Sequence, residues 1–321
     1  MVSYALKMSS KNEITYLKNL SMETNLADYY YWKKNKDPML VAEGINGGYI
    51  MTSPFSAKTA FVTTDGMKYD FNLQRLGSKK QIQVLDDIMG FFSLDIENEN
   101  FLLAKLGSED SQSPDMFLIK GSAKPVVVAT EMAAPAHGKA SLDFNLINYI
   151  TNFDYETNSG TLYQKRYLFG RQISEKEIAQ NVASFTPTRD GKTLVYTTDL
   201  SPDQTASIYV YKNGKSIHIA DDILQRNFKL ASNGKSISYI ANFSMETYSG
   251  DLFVKKLTGN GKLLQVDDNV YAMYYSRDDK NAIYFKNFDM MNNAGDLYLW
   301  KGNKAAELVD NNVSAVMFEA R

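Results

Sequence analysis

Three observations make this an all-β chain, a seven-bladed β-propeller of four-stranded antiparallel blades. Tyr (21) and Phe (17) recur with Val and Ile in short alternating runs broken by Gly, Asn, Asp and Lys, and no long window carries a helical period. A cadence then returns seven times: an apolar run, one or two acidic or amide residues, a single aliphatic residue. It ends at Ile45, Ile88, Met132, Val182, Ile223, Val270 and Val313, and steps of 43, 44, 50, 41, 47 and 43 residues give the period near 45 of four-stranded blades. A second marker lies inside that period. Asn19, Asn242 and Asn287 each have an acidic residue nine positions on, at Asp28, Asp251 and Asp296, and Asn152 starts a fourth copy with Thr161 in the acidic place.

One period spells out a blade. Between 270 and 313, Met273-Tyr274-Tyr275 is the inner strand, Ala282-Ile283-Tyr284-Phe285 the second, Leu297-Tyr298-Leu299-Trp300 the third and Ala306-Glu307-Leu308-Val309 the outer. The turns between them are rich in Asp, Asn, Gly and Lys; Gly and Asn tolerate positive φ, which suits tight hairpins. A lone blade cannot bury both faces, so the blades are expected to stack about an axis as one domain over 1–321, with closure removing exposed edges. Both ends of the chain compete for the inner strand of the first blade, residues 2–8 and residues 314–320. The expectation is that the terminal strands close the ring, with Val316 and Phe318 completing the first blade beside Ile14 to Leu17.

Lys+Arg of 35 against Asp+Glu of 37 leaves a net charge of −2, so there is no basic excess to bind a phosphate backbone, and nucleic acid is not an expected partner. The absence of cysteine excludes disulfides, thiolate chemistry and cysteine-ligated metals. Apolar runs such as Val126-Val127-Val128-Ala129 fall far short of the roughly 20 residues that span a bilayer, so no membrane span is expected. The start of the chain has no leader pattern; the targeting segment of an exported parent would have been removed.

The stretch Phe185-Thr186-Pro187-Thr188-Arg189-Asp190-Gly191-Lys192-Thr193-Leu194-Val195-Tyr196, followed by Ile208-Tyr209-Val210-Tyr211, resembles the repeat of TolB-type, WD40-like propellers. That repeat has an aromatic, Ser-Pro-Asp-Gly-Lys, a strand, then an Asp-Ile-Tyr-like strand, and Ala231-Ser232-Asn233-Gly234-Lys235 is a second copy. The chain also resembles uncharacterised propeller domains of Gram-positive bacterial surface and lipoprotein-like proteins. The resemblance implies an extracytoplasmic binding or scaffolding module of a larger bacterial protein, with a cytoplasmic location as the alternative.

Nothing in the sequence assembles a catalytic constellation. His137 and His218, the two histidines, lack a partner pattern, and there is no Gly-x-Ser-x-Gly elbow, P-loop or dinucleotide fingerprint. The alternative function is a carbohydrate hydrolase or lyase using rim carboxylates, with Asp154 and Glu156 or Asp289 and Asp296 as acid and base. Repetition of these residues from blade to blade points first to loop structure, since Asn and Asp hydrogen-bond their own backbone. Structural calcium on rim oxygens is a third reading, and no other cofactor is expected.

Strand order places the loops between second and third strands on the same rim as the outer-to-inner joins. That rim collects Asn19, Glu23, Asp28, Asp154, Glu156, Asn242, Glu246, Asn287 and Asp289, together with cadence carboxylates such as Asp86, Asp87, Glu131, Asp221, Asp267 and Asp268. The opposite turns carry lysines, among them Lys58, Lys79, Lys192, Lys215, Lys235, Lys280 and Lys304. The expected partner is therefore a protein, peptide or glycan at an acidic face, steered by charge. Met22, Met245, Met290 and Met291 add adaptable apolar contacts to the same loops.

Overall fold

The computed structural model describes residues 7–8, 13–53, 56–64, 68–106, 113–130, 132, 137–225, 227–259, 261–276, 281–302 and 305–314. Their regular structure is all β, with no α-helix, in four antiparallel sheets whose strands pair in chain order. The first holds β1 (Lys7–Met8), β2 (Glu13–Lys18), β3 (Leu26–Lys33), β4 (Met39–Thr52), β5 (Lys58–Thr64), β6 (Tyr69–Arg75) and β7 (Gln81–Leu85). The second holds β8 (Ile88–Asp95), β9 (Asn100–Leu106), β10 (Pro114–Lys120) and β11 (Val126–Ala129). In the third are β12 (Gly138–Ala140), β13 (Leu146–Asp154), β14 (Ser159–Leu168), β15 (Arg171–Pro187), β16 (Thr193–Thr198), β17 (Thr205–Lys212) and β18 (Lys215–Leu224). The fourth runs through β19 (Phe228–Leu230), β20 (Ser236–Ser244), β21 (Ser249–Lys256), β22 (Leu263–Tyr275), β23 (Ala282–Asp289), β24 (Ala294–Trp300) and β25 (Glu307–Ser314). The chain divides into two compact units, residues 1–140 with 165–174, and residues 141–164 with 175–321.

Long strands do double duty in the seven-stranded sheets. β4 pairs with β3 between Met39 and Asn46, then with β5 between Ile45 and Thr52. β22 pairs with β21 between Leu263 and Val270, then with β23 between Val270 and Tyr275. Each is the last strand of one four-stranded meander and the first strand of the next.

The cadence in the sequence marks the point where this switch occurs, and its chemistry follows from backbone conformation. Gly44, Asp87, Asn181, Asp222, Asn269 and Asn312 all have positive φ, between 50° and 59°, and each immediately precedes a cadence aliphatic. The register slips there: Gly250 faces Val270 while Leu252 faces Asp267, so three residues of one strand are spanned by two of its neighbour. This is a β-bulge, and the left-handed residue it needs is supplied by Gly, Asn or Asp. The bend drives the next side chain inward, and Ile45, Ile88, Met132, Val182, Ile223 and Val270 are all buried.

Burial falls from the second strand of each meander outward. β9, β13 and β20 each carry four consecutive buried residues, the run expected of a strand covered on both faces. β3 and β17 alternate, and the outer β25 is exposed along most of its length. Cores form between successive meanders within each unit. In the first, Val62, Phe71 and Leu73 pack with Ile88, Phe101 and Leu103; in the second, Ile240, Leu252 and Val254 pack with Val270, Met273 and Tyr284. A stacked aromatic pair recurs between second and third strands: Tyr16 on Tyr30, Tyr196 on Tyr209, Tyr239 on Phe253, Tyr284 on Tyr298, with ring centroids 5.3 to 5.5 Å apart. Tyr30 thus stacks along its own sheet, whereas Tyr29 and Tyr31 enter the core between meanders.

Lys7 pairs with Thr15 and Met8 with Ile14, so β1 lies beside the start of β2, which is paired on its other side to β3. Ser314 is the end of β25, and Val316 and Phe318 lie outside the described residues.

Candidate functional site

The repeated asparagines are left-handed residues at the base of their loops, and the register slips at Asn242 and Asn287. Asn19, Asn152, Asn242 and Asn287 have φ of 56°, 51°, 52° and 49°. In three of them the side chain reaches across the hairpin. Asn19 Nδ2 donates to Asp28 Oδ2 at 2.6 Å, Asn242 to Asp251 at 2.8 Å and Asn287 to Asp296 at 2.9 Å. The residue two beyond the Asn then organises the loop. Asp154 Oδ1 accepts the Glu156 N–H at 2.8 Å, Asp289 Oδ1 accepts the Met291 N–H at 2.8 Å, and Ser244 Oγ accepts the Glu246 N–H at 3.2 Å. Close packing at the loop base explains Gly160 and Gly295: a Cβ there would lie 2.7 Å from the Thr151 carbonyl oxygen and 2.8 Å from that of Lys286.

Of the nine expected rim residues, Asn19, Asp28, Asn242 and Asn287 therefore have local hydrogen-bond partners, and Asp154 and Asp289 nucleate turns. Glu23, Glu156 and Glu246 point their charge into solvent from the loop tips. Asp289 is held below the usual carboxylate range by the Asn292 side chain and the N–H groups of Met291 and Asn292. Glu131, Lys280 and Lys304 lie outside the described residues.

The cadence carboxylates are less available than their charge suggests, because lysines share their end of the sheet. Lys105 meets Asp86 at 2.5 Å and Lys68 meets Asp87 at 3.3 Å. Lys286 bridges Asp267 at 2.6 Å and Asp268 at 3.0 Å, and the Tyr284 hydroxyl donates to Asp267 at 2.5 Å. Burial opposes the charge on Asp267, but the bonds from Lys286 and Tyr284 outweigh it and hold the carboxyl below its usual range. In both units, cadence carboxylates are thus paired with lysines, whereas Glu23, Glu156 and Glu246 are exposed at their loop tips.

His218 does not sit in a nucleophile relay. His218 Nε2 lies 2.8 Å from Asp221 Oδ1, and the Ser207 hydroxyl donates to the same oxygen at 2.8 Å. The three residue types of a hydrolase triad are present, but with the carboxylate in the middle, so the serine faces no base. His137 is half-buried, and burial pulls its basicity below the ordinary value. Among the described residues, the carboxyls with displaced protonation (Asp86, Glu97, Asp190, Asp203, Asp221, Asp267 and Asp289) are all displaced downward. A glycosidase general acid needs the opposite shift.

The second unit contains a cleft of about 700 Å³ that the sequence reading did not find. Its floor comes from β19 and from the second half of β22, and its walls from the loops after β20 and β23. Six aromatic residues line it: Phe228, Tyr239, Phe243, Tyr248, Tyr271 and Tyr274. Tyr271 is held by a parallel stack on Phe288, centroids 3.9 Å apart. The polar groups are Asn227, Lys229, Ser238 and Asn293, and no carboxylate among the described residues lines the space. Asn227 Nδ2 is buried without an acceptor, while the Asn227 main chain is satisfied by Leu224 and Ile240. Met290, expected as a contact residue, stands at the mouth and is exposed, as are Met245 and Met291 on the neighbouring loops. A size in the 300 to 1,000 Å³ range with aromatic walls and a few polar groups is what ligand sites require.

A cleft of about 770 Å³ in the first unit has a different character, with Tyr49, Tyr69 and Phe91 accompanied by Lys68, Lys105 and Asp87.

No protein-family model matches the chain, and no curated protein sequence matches it. Solved structures similar to it include the eukaryotic initiation factor, at 11% identity over 98% of this chain and 80% of that one, with a TM-score of 0.58. They also include the β-propeller domain of the Trilobed protease from Pyrococcus furiosus, at 12% identity over 97% and 99% of the two chains with a TM-score of 0.41. TolB from Acinetobacter baumannii is 14% identical over 78% of this chain and 65% of its own, with a TM-score of 0.38. The first similarity is one of fold alone.

Proposed function

We propose that the chain is a non-catalytic binding propeller: seven four-stranded meanders stacked as the blades of a closed ring, forming an extracytoplasmic interaction module of a larger protein. The partner is a protein or peptide received on the rim that carries the Asn-bulge loops. The observation that carries this reading is the aromatic cleft of the second unit, which has the size and chemistry of a ligand site. Glu23, Glu156 and Glu246 at the loop tips steer the approach, and the methionines of the same loops adapt to the bound surface.

The test is a binding and turnover comparison on the purified chain. A peptide library and a glycan array are screened for binding, and release of reducing ends or new amino termini is followed in parallel. Peptide binding lost on substitution Tyr271→Ala, with no turnover, supports the reading. Turnover abolished by Asp154→Asn or Asp289→Asn would replace it with the hydrolase alternative.

A further inference from the structure

We propose that the tip of the β14–β15 hairpin docks on a lipid surface, seating Phe169 in the interface of an anionic bilayer with Arg166 and Arg171 on its headgroups. The proposal rests on residues that the binding reading above does not use.

Phe169 stands where the fold asks for a different residue. β14 ends at Leu168 and β15 starts at Arg171, so Phe169 and Gly170 are the whole turn. Their φ angles of 49° and 75° are both positive, as a two-residue hairpin of matching twist requires, and Asn-Gly is the sequence that suits it. The corresponding hairpin of the next meander uses that sequence: Asn213 and Gly214, between β17 and β18, have φ of 51° and 80°. Asn35, Gly77, Gly121 and Gly302 are the left-handed residues of other outer turns. A phenylalanine in this conformation is disfavoured, and burial can offset the strain, as at Phe144, which has φ of 53° and is 3% exposed. Phe169 is 91% exposed, so packing within the chain offsets little of it.

The surroundings of Phe169 select the partner. Leu168 and Ile173, 46% and 53% exposed, extend the apolar tip. The two-residue turn sets Leu168 opposite Arg171. Strand alternation then gathers Arg166, Leu168, Arg171 and Ile173 on one face, with Tyr167 buried on the other. Residues 165–174 hold three basic side chains and no acidic one. The Lys165 ammonium donates to the Val128 carbonyl, whereas Arg166 and Arg171 are exposed beside the apolar residues. The next acids, Glu175 and Glu177, lie further from the tip and accept the Tyr149 and Tyr163 hydroxyls. Aromatic and aliphatic side chains are stabilised on entering the boundary between headgroups and acyl chains, and arginines at the same level are attracted by anionic lipid. A fluid interface admits side chains spread over the turn and both strands without a preformed pocket.

The experiment is co-sedimentation of the full chain with two kinds of vesicle: phosphatidylcholine alone, and phosphatidylcholine with phosphatidylglycerol at about two to one. Wild type is compared with Phe169→Asn, with Phe169→Trp, and with Arg166→Gln and Arg171→Gln combined. Wild type should prefer the anionic vesicles by about tenfold or more, each arginine supplying a factor of about five. Phe169→Asn should weaken anionic binding about tenfold or more. Its melting temperature should equal or exceed that of wild type, because Asn-Gly fits the turn. Phe169→Trp should keep the affinity and shift tryptophan emission to the blue on binding. Sedimentation with neither vesicle, or anionic binding indifferent to Phe169→Asn, overturns the proposal, as does a fall in the melting temperature of Phe169→Asn, which would make the ring structural. Equal binding to both vesicles, or no effect of the paired arginine substitutions, overturns the role given to the arginines. A soluble protein held through Phe169 in the absence of vesicle binding would reassign the tip to a protein pocket.

Discussion

The Asn242 amide donates to the Asp251 carboxylate at 2.8 Å, across a hairpin whose chain bulges at Asn242 itself with φ of 52°. Conformation and hydrogen bond are separable. Asn242→Gly should keep the left-handed backbone and lose the bond, costing about 0.5 to 1 kcal/mol, whereas Asn242→Ala loses both and should cost about 1.5 to 3 kcal/mol. Urea unfolding reads the difference. In a double-mutant cycle with Asp251→Ala, a coupling energy of zero would mean that the side-chain bond contributes nothing.

Gly295 predicts a sharper loss. A methyl group at this position would meet the Lys286 carbonyl oxygen at 2.8 Å and Phe288 at 3.1 Å, and the neighbour is backbone that cannot swing away. Gly295→Ala should destabilise by about 1 to 3 kcal/mol, and an unchanged melting temperature would show that the loop base has slack.

Acid should expose the Asp267 cluster. The folded-state carboxyl is held below its ordinary 3.8, so its stabilising effect is complete above that value and is lost as pH falls through the lower folded value. Lys286 is shifted the other way, above 10.5: hydrogen bonds and charge attraction from Asp267 and Asp268 outweigh burial, which lowers it. Its contribution is present below 10.5 and lost as pH rises through the folded value. Lys286→Met should therefore flatten stability against pH at both extremes. Fluorescence-monitored unfolding between pH 2 and 5 tests the acid limb, and an unchanged slope would count against the cluster.

The loop-tip glutamates should separate binding from folding. Glu23→Gln and Glu246→Gln should leave the melting temperature in place, since both side chains are solvated, yet reduce the salt dependence of partner association. Asp289→Ala should differ by lowering stability about 0.5 to 2 kcal/mol, because its oxygens satisfy two backbone N–H groups. Identical melting curves for all three variants would contradict the division of roles.

Calcium should not stabilise the loops. The Asp289 oxygens are engaged by Met291 and Asn292, and those of Asp154 by Glu156 and Thr157. Millimolar calcium or a chelator should shift the melting temperature by less than about 1 °C; a rise of several degrees would require a site that these bonds do not reveal.

What the sequence discloses is the part of the structure that the backbone forces on it. A bulge needs a left-handed residue, so Gly44, Asp87, Asn181, Asp222, Asn269 and Asn312 stand out at regular intervals whatever surrounds them. In the blade read from 270 to 313, the second strand begins at Ala282 and the third ends at Trp300, as β23 and β24 do. Pairing of charges is another matter. Lys286 reaches Asp267 across the sheet register, which composition does not encode, so a rim counted as acidic proves partly neutralised. The cleft was hidden because its aromatic residues look like core. One signal was available: Tyr248 occupies a place where the other copies of the repeat hold Asn.

The shared strands β4 and β22 bear on how the molecule yields under load. A strand hydrogen-bonded along half its length to one meander and along the other half to the next transmits tension between them without passing through a loop. Pulled along the chain, β19–β25 should rupture as one block of about twice the contour length of β8–β11, which among the described residues has no such strand in common with a neighbour.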